Sequence, residues 1–130
     1  MSNKKKIAEN KERTWYEARS WKTAAGLPAK VMWCEWKSKL IAPSLHDFYT
    51  GYVRVPDEDE TNYYDSEEIG VHGGITYYDA PSWDEDGGRW AGFDMAHIGD
   101  EEKQDLTYAM SECERLADQI VKNGNRLKEV

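Results

Sequence analysis

The sequence predicts an α+β domain in which a three- to four-stranded antiparallel sheet is packed by a long C-terminal helix, with an N-terminal helical segment before it. Three observations lead to this prediction. The chain has 130 residues, a common size for one domain. Between residues 30 and 95, runs rich in aromatic and β-branched residues are separated by proline and glycine. After residue 100, apolar residues recur at helical spacing.

The first 29 residues predict a basic helical segment. Over residues 4–24 the large apolar side chains could form one stripe, whose members are Ile7, Trp15, Ala18 and Trp21. Gly26-Leu27-Pro28 would end that helix, because a proline disfavours helical geometry in the residue before it. The single α+β domain is then expected over residues 30–125, followed by a tail at 126–130.

Four runs predict the strands of the sheet. The first alternates large side chains on its two sides, and the second contains Phe48 and Tyr52 before Pro56. The third is interrupted by Gly73-Gly74, which predicts a break or a bulge. In chain order the runs are 30–41, 45–55, 69–78 and 89–95.

The last element is predicted to be a helix over residues 102–122. Its apolar residues recur three and four apart and would cover one face. Asp100 or a nearby acid is expected to cap its start, and Gly124 is expected to follow its end. The apolar face consists of Leu106, Ala109, Met110, Cys113, Leu116, Ala117, Ile120 and Val121.

The chain is acidic, and its charge is unevenly distributed. It carries 17 Lys and Arg against 25 Asp and Glu, for a net charge of −8. Residues 1–39 hold ten basic and four acidic groups, whereas residues 40–100 hold two basic and fourteen acidic groups. A negative body repels nucleic acid and attracts cations or basic protein surfaces. We therefore expect no direct binding of nucleic acid.

Two acidic loops are candidate contacts for a host protein with a basic surface. Spread over one face, their carboxylates could mimic the phosphate spacing of nucleic acid. Ordinary solvated loops are the favoured explanation, and a weak calcium site would lack the EF-hand spacing. The partner-binding candidates are Asp57, Glu58, Asp59, Glu60, Asp84, Glu85 and Asp86.

The sequence carries no sign of a membrane span or a secretion signal. No apolar run approaches the roughly 20 residues that a membrane-spanning helix needs, and no apolar stretch follows the basic start. Cys34 and Cys113 could form one disulfide, but two such cysteines are more often buried thiols. We expect a cytoplasmic protein with no membrane partner.

Three segments in the centre of the chain form a combined pattern. They are Gly51-Tyr52-Val53-Arg54-Val55-Pro56, Val71-His72-Gly73-Gly74-Ile75-Thr76-Tyr77 and Trp90-Ala91-Gly92-Phe93-Asp94-Met95-Ala96-His97-Ile98-Gly99-Asp100. In this order, with a helix after them, they resemble a family of small uncharacterised bacteriophage and prophage proteins. The resemblance implies a phage origin and the host cytoplasm, but no activity. Many members carry cysteine at the positions of Thr50 and Met95, so a site built on those cysteines would be missing here.

Four side chains in these segments are of the types that bind divalent metal ions: His72, Asp94, His97 and Asp100. A tight loop could point the last three inward, and a metal there could activate water in a hydrolase. A structural role is favoured over this metal site, with carboxylates bonded to backbone N–H groups around a sharp turn. Because no His-Glu-x-x-His spacing is present, we assign no metal ligand and no catalytic residue, and the cofactor stays open.

Glycines and aromatic residues in the same segments are interpreted as a ligand-binding centre. Aromatic rings beside exposed glycine backbone could hold a planar group such as a base, and an arginine could meet a phosphate. Burial in the core is the alternative explanation for each ring. The ligand-binding candidates are His72, Gly73, Gly74, Tyr77, Trp90, Asp94, His97, Asp100 and Arg54.

These features favour a phage accessory protein that acts by binding, as an inhibitor or sequestering agent of a host defence factor or of a small ligand. A small metal-dependent hydrolase that uses the His/Asp cluster is the alternative, and a virion component is a third. Because a structural role is favoured for the cluster, we expect His97→Ala to destabilise the fold more than it impairs function.

Overall fold

The structure, a computed structural model, describes residues 4–38, 45–64, 68–97 and 99–128, with side chains up to residue 124. These residues form one six-stranded antiparallel sheet, curved as a half-barrel, and a C-terminal helix. Neighbouring strands follow the order β1-β2-β3-β4-β6-β5. The prediction of three to four strands is therefore wrong. The strands are β1 (Lys5–Glu9), β2 (Arg13–Lys22), β3 (Pro28–Trp36), β4 (Phe48–Arg54), β5 (Tyr77–Asp79) and β6 (Trp90–Asp94).

The N-terminal helix predicted over residues 4–24 is wrong, because this segment forms β1 and β2 of the same sheet. A β-bulge between Glu17 and Arg19 interrupts the alternation of side chains along β2, so the apolar residues of this segment do not show the regular two-residue spacing of a strand. Trp15 pairs with Cys34 and Trp21 pairs with Ala29, and these two partners are an odd number of residues apart in β3. The tryptophans therefore lie on opposite faces of the sheet and not on one stripe of a helix.

A turn at Asn10 joins β1 to β2. The Asn10 side-chain oxygen accepts hydrogen bonds from the backbone N–H groups of Glu12 and Arg13, both at 2.8 Å. Asparagine is typical of such turns because its side chain can substitute for a backbone acceptor. Lys5 and Lys6 lie on β1, which is an edge strand, where charged side chains oppose pairing with a second sheet. The basic N-terminal segment is thus the charged edge of the sheet.

Strands β3, β4 and β6 overlap the predicted runs, but the strand predicted over residues 69–78 is wrong for most of its length. Only its last two residues pair, as the start of β5. Gly73 and Gly74 have φ angles of +69° and +80°, and Gly74 N donates a hydrogen bond to Val71 O at 2.9 Å. This turn breaks the strand, because positive φ angles are incompatible with extended backbone. Residues 39–41 of the first predicted run lie outside the described residues.

The C-terminal helix, α1, spans Leu106–Lys128 and follows a short 3-10 helix at Glu101–Lys103. Asp105 caps α1, since its carboxylate accepts a hydrogen bond from a first-turn backbone N–H at 2.8 Å. Asp100 precedes the 3-10 helix instead, and α1 continues through Gly124, so the predicted boundaries are both displaced. Across the described residues, no helix has the length and apolarity that crossing a membrane requires.

One face of α1 packs on the centre of the sheet. Gly51 of β4 leaves the space that the Phe93 ring and Cys113 fill, since a β-carbon on Gly51 would stand 2.8 Å from Cys113 Sγ. Cys34 and Cys113 are buried free thiols, and burial raises the pKa of each to about 12. Neither thiol is therefore ready to act as a nucleophile at neutral pH. The fully buried residues of this helix face are Ala109, Cys113, Leu116, Ala117 and Ile120.

The side of the sheet away from α1, here called the distal face, carries a second hydrophobic cluster. Alternation along β4 and β6 places Tyr52, Trp90 and Asp94 on this side. Met32, Tyr52 and Trp90 are buried, and Trp83 from the loop before β6 packs on them. The Trp83 ring centroid lies 4.9 Å from that of Trp90 and 5.7 Å from that of Tyr52. Both faces of the sheet are therefore partly covered by apolar groups.

We expect Gly51→Ala to lower the free energy of unfolding by about 1–3 kcal/mol, because the new methyl group overpacks the contact with Phe93 and Cys113. Gly70→Ala is the matched control, since the nearest atom to a β-carbon there, Gln119 Oε1, lies 3.9 Å away. Urea unfolding curves of both variants measure the difference. Equal stability of the two variants would contradict this account of the helix–sheet contact.

Candidate functional site

The structure brings four predicted residues together, and the group is here called the His/Asp cluster: His72, Asp94, His97 and Asp100. Asp100 Oδ2 lies 3.0 Å from His72 Nε2 and 3.5 Å from His97 Nδ1. Asp94 Oδ1 lies 3.7 Å from the same nitrogen of His97. The cluster contains two imidazoles and two carboxylates within a small volume, at the junction of β6 with the segment that leads to α1.

Asp100 is the centre of the cluster. It is only 5% exposed, and its Oδ2 also accepts a hydrogen bond from the His97 backbone N–H at 3.2 Å. Burial alone would raise the pKa of this carboxyl group, but hydrogen bonding and charge attraction from His72, with a contribution from His97, lower it below its ordinary value. Asp100 is therefore ionised at neutral pH and holds both histidine-bearing turns.

Helix α1 positions His72, through two residues that the sequence interpretation missed. Tyr108 OH lies 2.9 Å from His72 Nδ1, and Glu112 Oε1 accepts a hydrogen bond from the His72 backbone N–H at 2.8 Å. Tyr108 and Glu112 are four residues apart, so they lie on one side of the helix. One feature of the sequence could have pointed to these two residues: they are polar groups beside the apolar face of the helix, and Glu112 directly precedes the buried Cys113.

Gly73 makes room for His97. A β-carbon on Gly73 would stand 2.6 Å from His97 Cε1, which is closer than real side chains approach. The positive φ of Gly73 would in addition strain any other residue. The His97 side chain itself is 51% exposed. This exposure reduces the loss of stability expected from His97→Ala and makes the buried Asp100 the more important structural member of the cluster.

Three other ligand-binding candidates have their contacts elsewhere. Tyr77 and Trp90 belong to the hydrophobic cluster of the distal face. Arg54 Nε donates to Asp84 Oδ2 at 3.0 Å, and the Trp90 indole N–H donates to the same oxygen at 2.8 Å. Gly74 lies in the turn that follows His72. The predicted ligand-binding set therefore divides between the His/Asp cluster and the distal face.

The acidic loops are joined to each other by Arg54. Its guanidinium contacts Asp84 and also lies 3.5 Å from Asp57 Oδ1. Asp59 and Asp84 point inward: Asp59 Oδ2 accepts a hydrogen bond from the buried Tyr63 OH at 2.6 Å. The exposed members of the predicted partner-binding set are Asp57, Glu58, Glu60, Glu85 and Asp86.

A cavity of about 210 Å³ lies on the distal face and adjoins the His/Asp cluster. Asp94 belongs to both, because its Oδ2 accepts a hydrogen bond from Thr76 Oγ1 at 3.0 Å while its Oδ1 faces His97. The walls of this distal cavity include Arg13, Trp15, Thr50, Tyr52, Tyr77 and Asp94. Arg13, Trp15 and Thr50 were not predicted as site residues, because the segment of the first two was interpreted as a helix.

Two polar atoms on the walls of the distal cavity are buried and have no hydrogen-bond partner of good geometry among the residues that the structure describes. They are Arg13 Nε and Thr50 Oγ1. Thr50 is 4% exposed, and the Arg13 guanidinium lies between two indoles, with its central carbon 5.2 Å from the ring centroid of Trp15 and 5.0 Å from that of Trp36. Unpaired buried polar groups are rare in folded proteins.

A larger cleft of about 360 Å³ lies elsewhere on the sheet, between Lys30 and the Trp83 loop. Two of its charged side chains, Lys30 and Asp84, already have partners within the chain. Lys30 Nζ pairs with Glu17 Oε1 at 2.7 Å, and Asp84 is bonded to Arg54. The distal cavity is the stronger ligand-site candidate, because the buried polar atoms without a partner in the described part of the chain both lie on its walls.

We expect Asp84→Asn to lower the free energy of unfolding by about 1–3 kcal/mol at pH 7, since this carboxylate accepts bonds from Arg54 and Trp90. The Trp90 hydrogen bond is the main cause of the lowered pKa of Asp84, and Arg54 adds to it. A lowered folded-state pKa means that this stability is complete above the ordinary pKa, about 3.9, and is lost as the pH falls further.

The difference between Asp84→Asn and the unchanged protein should therefore shrink below about pH 4. Glu85→Gln is the control, because Glu85 is an exposed neighbour in the same loop. Urea unfolding from pH 3 to pH 7 measures the effect. If the difference in the free energy of unfolding between Asp84→Asn and the unchanged protein grows as the pH falls, the assigned role of Asp84 is contradicted.

Comparison of this chain with protein-family models, with curated proteins and with solved structures gave no match. The fold and the two candidate sites are therefore interpreted from their own geometry.

Proposed function

We propose that this chain is an accessory protein of phage origin that acts by binding a small ligand in the distal cavity. The observation that carries this proposal is the pair of unpaired buried atoms, Arg13 Nε and Thr50 Oγ1. Leaving a buried donor or acceptor without a partner costs about 1–3 kcal/mol. A bound ligand that hydrogen-bonds to both atoms would recover this energy. The fold itself gains no stability from leaving the two atoms unpaired.

The walls of the distal cavity favour a ligand with a planar apolar body and a polar edge. Trp15, Tyr52 and Tyr77 supply aromatic surface. Arg13 offers a donor, and Asp94 offers an acceptor. The volume is below the roughly 300–1,000 Å³ of clefts that hold drug-sized molecules, so a molecule the size of a nucleobase or an aromatic amino acid fits better.

A host protein with a basic surface is a second proposed partner, supported by a different observation. Arg54 ties the acidic loop at Asp57 to the one at Asp84, so the exposed carboxylates of both loops are held near each other. Such a surface attracts a positively charged partner and accelerates its association. In the host cytoplasm this partner would be a defence factor that the chain sequesters. Replacing Glu58, Glu85 and Asp86 by the corresponding amides should then lower the affinity of the complex. It should also make that affinity less dependent on the salt concentration.

We expect Thr50→Val to leave the free energy of unfolding unchanged or to raise it by up to about 1 kcal/mol, because it removes a buried hydroxyl that has no hydrogen-bond partner of good geometry among the described residues. Thr23→Val is the matched control. Thr23 is also 4% exposed, but its hydroxyl donates to Leu27 O at 2.8 Å and accepts from Leu27 N at 3.0 Å. That variant should lose about 1–2 kcal/mol. Urea unfolding of both measures the contrast, and an equal loss at Thr50 would contradict the unpaired state of its hydroxyl.

Ligand binding itself is tested by NMR titration with nucleobases, aromatic amino acids and aromatic carboxylates. The indole N–H signal of Trp15 should shift with a binding member of the panel, whereas that of Trp33, which is bonded to Glu35 at 3.0 Å, should not. Thr50→Val should weaken the binding about fivefold or more, the equivalent of one hydrogen bond. If no member of the panel moves the Trp15 signal, and native mass spectrometry detects no co-purifying small molecule, the proposal fails.

A metal-dependent hydrolase is the alternative function, favoured by the gathering of His72, His97 and Asp100. It requires a bound ion that activates water. Hydrolysis of a model ester or phosphoester that depends on added metal and is lost in Asp100→Asn would favour it over the binding function.

A further inference from the structure

Three residues of the His/Asp cluster bring donor atoms close together. One ligand atom from each of His72, His97 and Asp100 lies within 4.8 Å of the other two, and the atoms that approach Asp100 Oδ2 are His72 Nε2 and His97 Nδ1. The carboxylate oxygen is 3.0 Å from the first nitrogen and 3.5 Å from the second. Around a tetrahedral zinc ion with bonds of about 2.0–2.1 Å, ligand atoms are separated by about 3.3 Å. The spacing of the three atoms therefore approaches that of a tetrahedral metal site.

The ring of His72 is held for such a role by groups outside the donor set. Its side chain is 11% exposed, and Tyr108 OH lies 2.9 Å from Nδ1. Glu112 fixes the backbone of the same residue from α1. Metal-binding histidines characteristically have a partner on the second ring nitrogen, which sets the tautomer and the ring orientation. A bound metal displaces the Nε2 proton that His72 donates to Asp100; the remaining ring proton then lies on Nδ1 with the Tyr108 oxygen as its acceptor, and Nε2 has a lone pair for the metal.

His97 and Asp94 form the open side of the cluster. The His97 side chain is half exposed, so its ring can move the short distance that brings its nitrogen closer to the other two donor atoms. The same exposure leaves a path by which an ion can enter. Asp94 Oδ1 lies 3.7 Å from His97 Nδ1, so this carboxylate is near enough to the donor set to supply a fourth ligand or to hold a bound water. One cation opposes an incoming ion: Lys103 Nζ lies 4.0 Å from Asp100 Oδ1, but its side chain is 61% exposed and can turn into solvent.

The types of donor select the class of metal. Two imidazoles with one carboxylate suit zinc and its neighbours in the first transition series. Calcium and magnesium require sets of oxygen ligands that this cluster does not provide within the described residues. Three protein ligands with an open fourth position are also the arrangement of zinc sites that keep a water or a substrate bound.

From these contacts we infer that the chain binds one divalent transition-metal ion, with zinc the best fit, through His72 Nε2, His97 Nδ1 and Asp100 Oδ2. Asp94 or a water takes the fourth position. The ion replaces the hydrogen bond between His72 and Asp100 as the link between the two turns. This site is independent of ligand binding in the distal cavity, although Asp94 lies between the two.

The test uses untagged full-length protein, treated with a chelator and titrated with zinc sulfate by isothermal calorimetry. We expect one zinc ion per chain, a raised melting temperature, and no response to calcium or magnesium. Cobalt(II) should give the intense visible absorption of a tetrahedral site. Absence of stoichiometric zinc binding, or a cobalt spectrum typical of an octahedral hydrated ion, would overturn the inference.

Variants separate this site from nonspecific binding to histidine. His97→Ala should lower zinc affinity at least 100-fold while circular dichroism shows a retained fold, because the side chain is exposed. Tyr108→Phe should lower it about 10- to 100-fold by releasing His72. His46→Ala is the matched control and should bind zinc nearly as the unchanged protein does, since His46 is not one of the three donor residues: its Nε2 lies 3.4 Å from the backbone oxygen of His97, and its ring packs on Phe48. Equal affinity of the His97 and His46 variants would overturn the site. Unchanged zinc binding by Thr50→Val would show that the metal site and the distal cavity are separate.

Discussion

The packing of α1 against Gly51 and Phe93 is the contact on which both the core and the candidate sites depend. The absence of a side chain on Gly51 lets Cys113 and the Phe93 ring meet over the middle of the sheet. The same helix then extends Tyr108 and Glu112 to the turn that carries His72. One helix thus closes the core and positions a ligating side chain. A shift of α1 on the sheet would disturb both, since packed interiors transmit small displacements.

The two faces of the sheet differ in how their polar groups are satisfied. On the helix side, Asp100 is buried with a full set of partners, and its lowered pKa reflects them. On the distal face, burial raises the pKa of Tyr52, and the Thr50 hydroxyl offsets part of that effect from a position that falls short of hydrogen-bond geometry. Arg13 is stacked between indoles without a carboxylate partner among the described residues. Asp94 lies between these environments and directs one carboxylate oxygen to each, Oδ2 to Thr76 and Oδ1 to His97.

The candidate site was partly predictable because its members are close in sequence. Asp94, His97 and Asp100 recur every three residues, and a tight turn brings them together whatever surrounds them. His72 joins them because the positive φ angles of Gly73 and Gly74 turn the chain there. Tyr77 and Trp90, near the same segments, instead face the distal cluster because strand alternation points them away. Spacing along the chain could not show which side of the sheet each ring would occupy.

The distal cavity could not be predicted, since its walls come from strands far apart in sequence. Arg13 and Trp15 lie on β2, whereas Thr50 lies on β4, and only the pairing of both with β3 brings them to one face. The bulge in β2 made the apolar spacing of this segment resemble that of a helix. Local propensity was a poor guide there, because pairing with β3 supplied the hydrogen bonds that determined the strand.

By itself the sequence determined the apolar face of α1, the strands around Phe48 and Trp90, and the glycine-bracketed turns, because each depends on interactions between residues near in sequence. Only the tertiary structure decided the number of strands, the division of the aromatic residues between two faces, and the convergence of His72 on Asp100. Those features depend on long-range strand pairing and on which groups α1 covers. Their energies arise from contacts between residues dozens of positions apart, which no local pattern encodes.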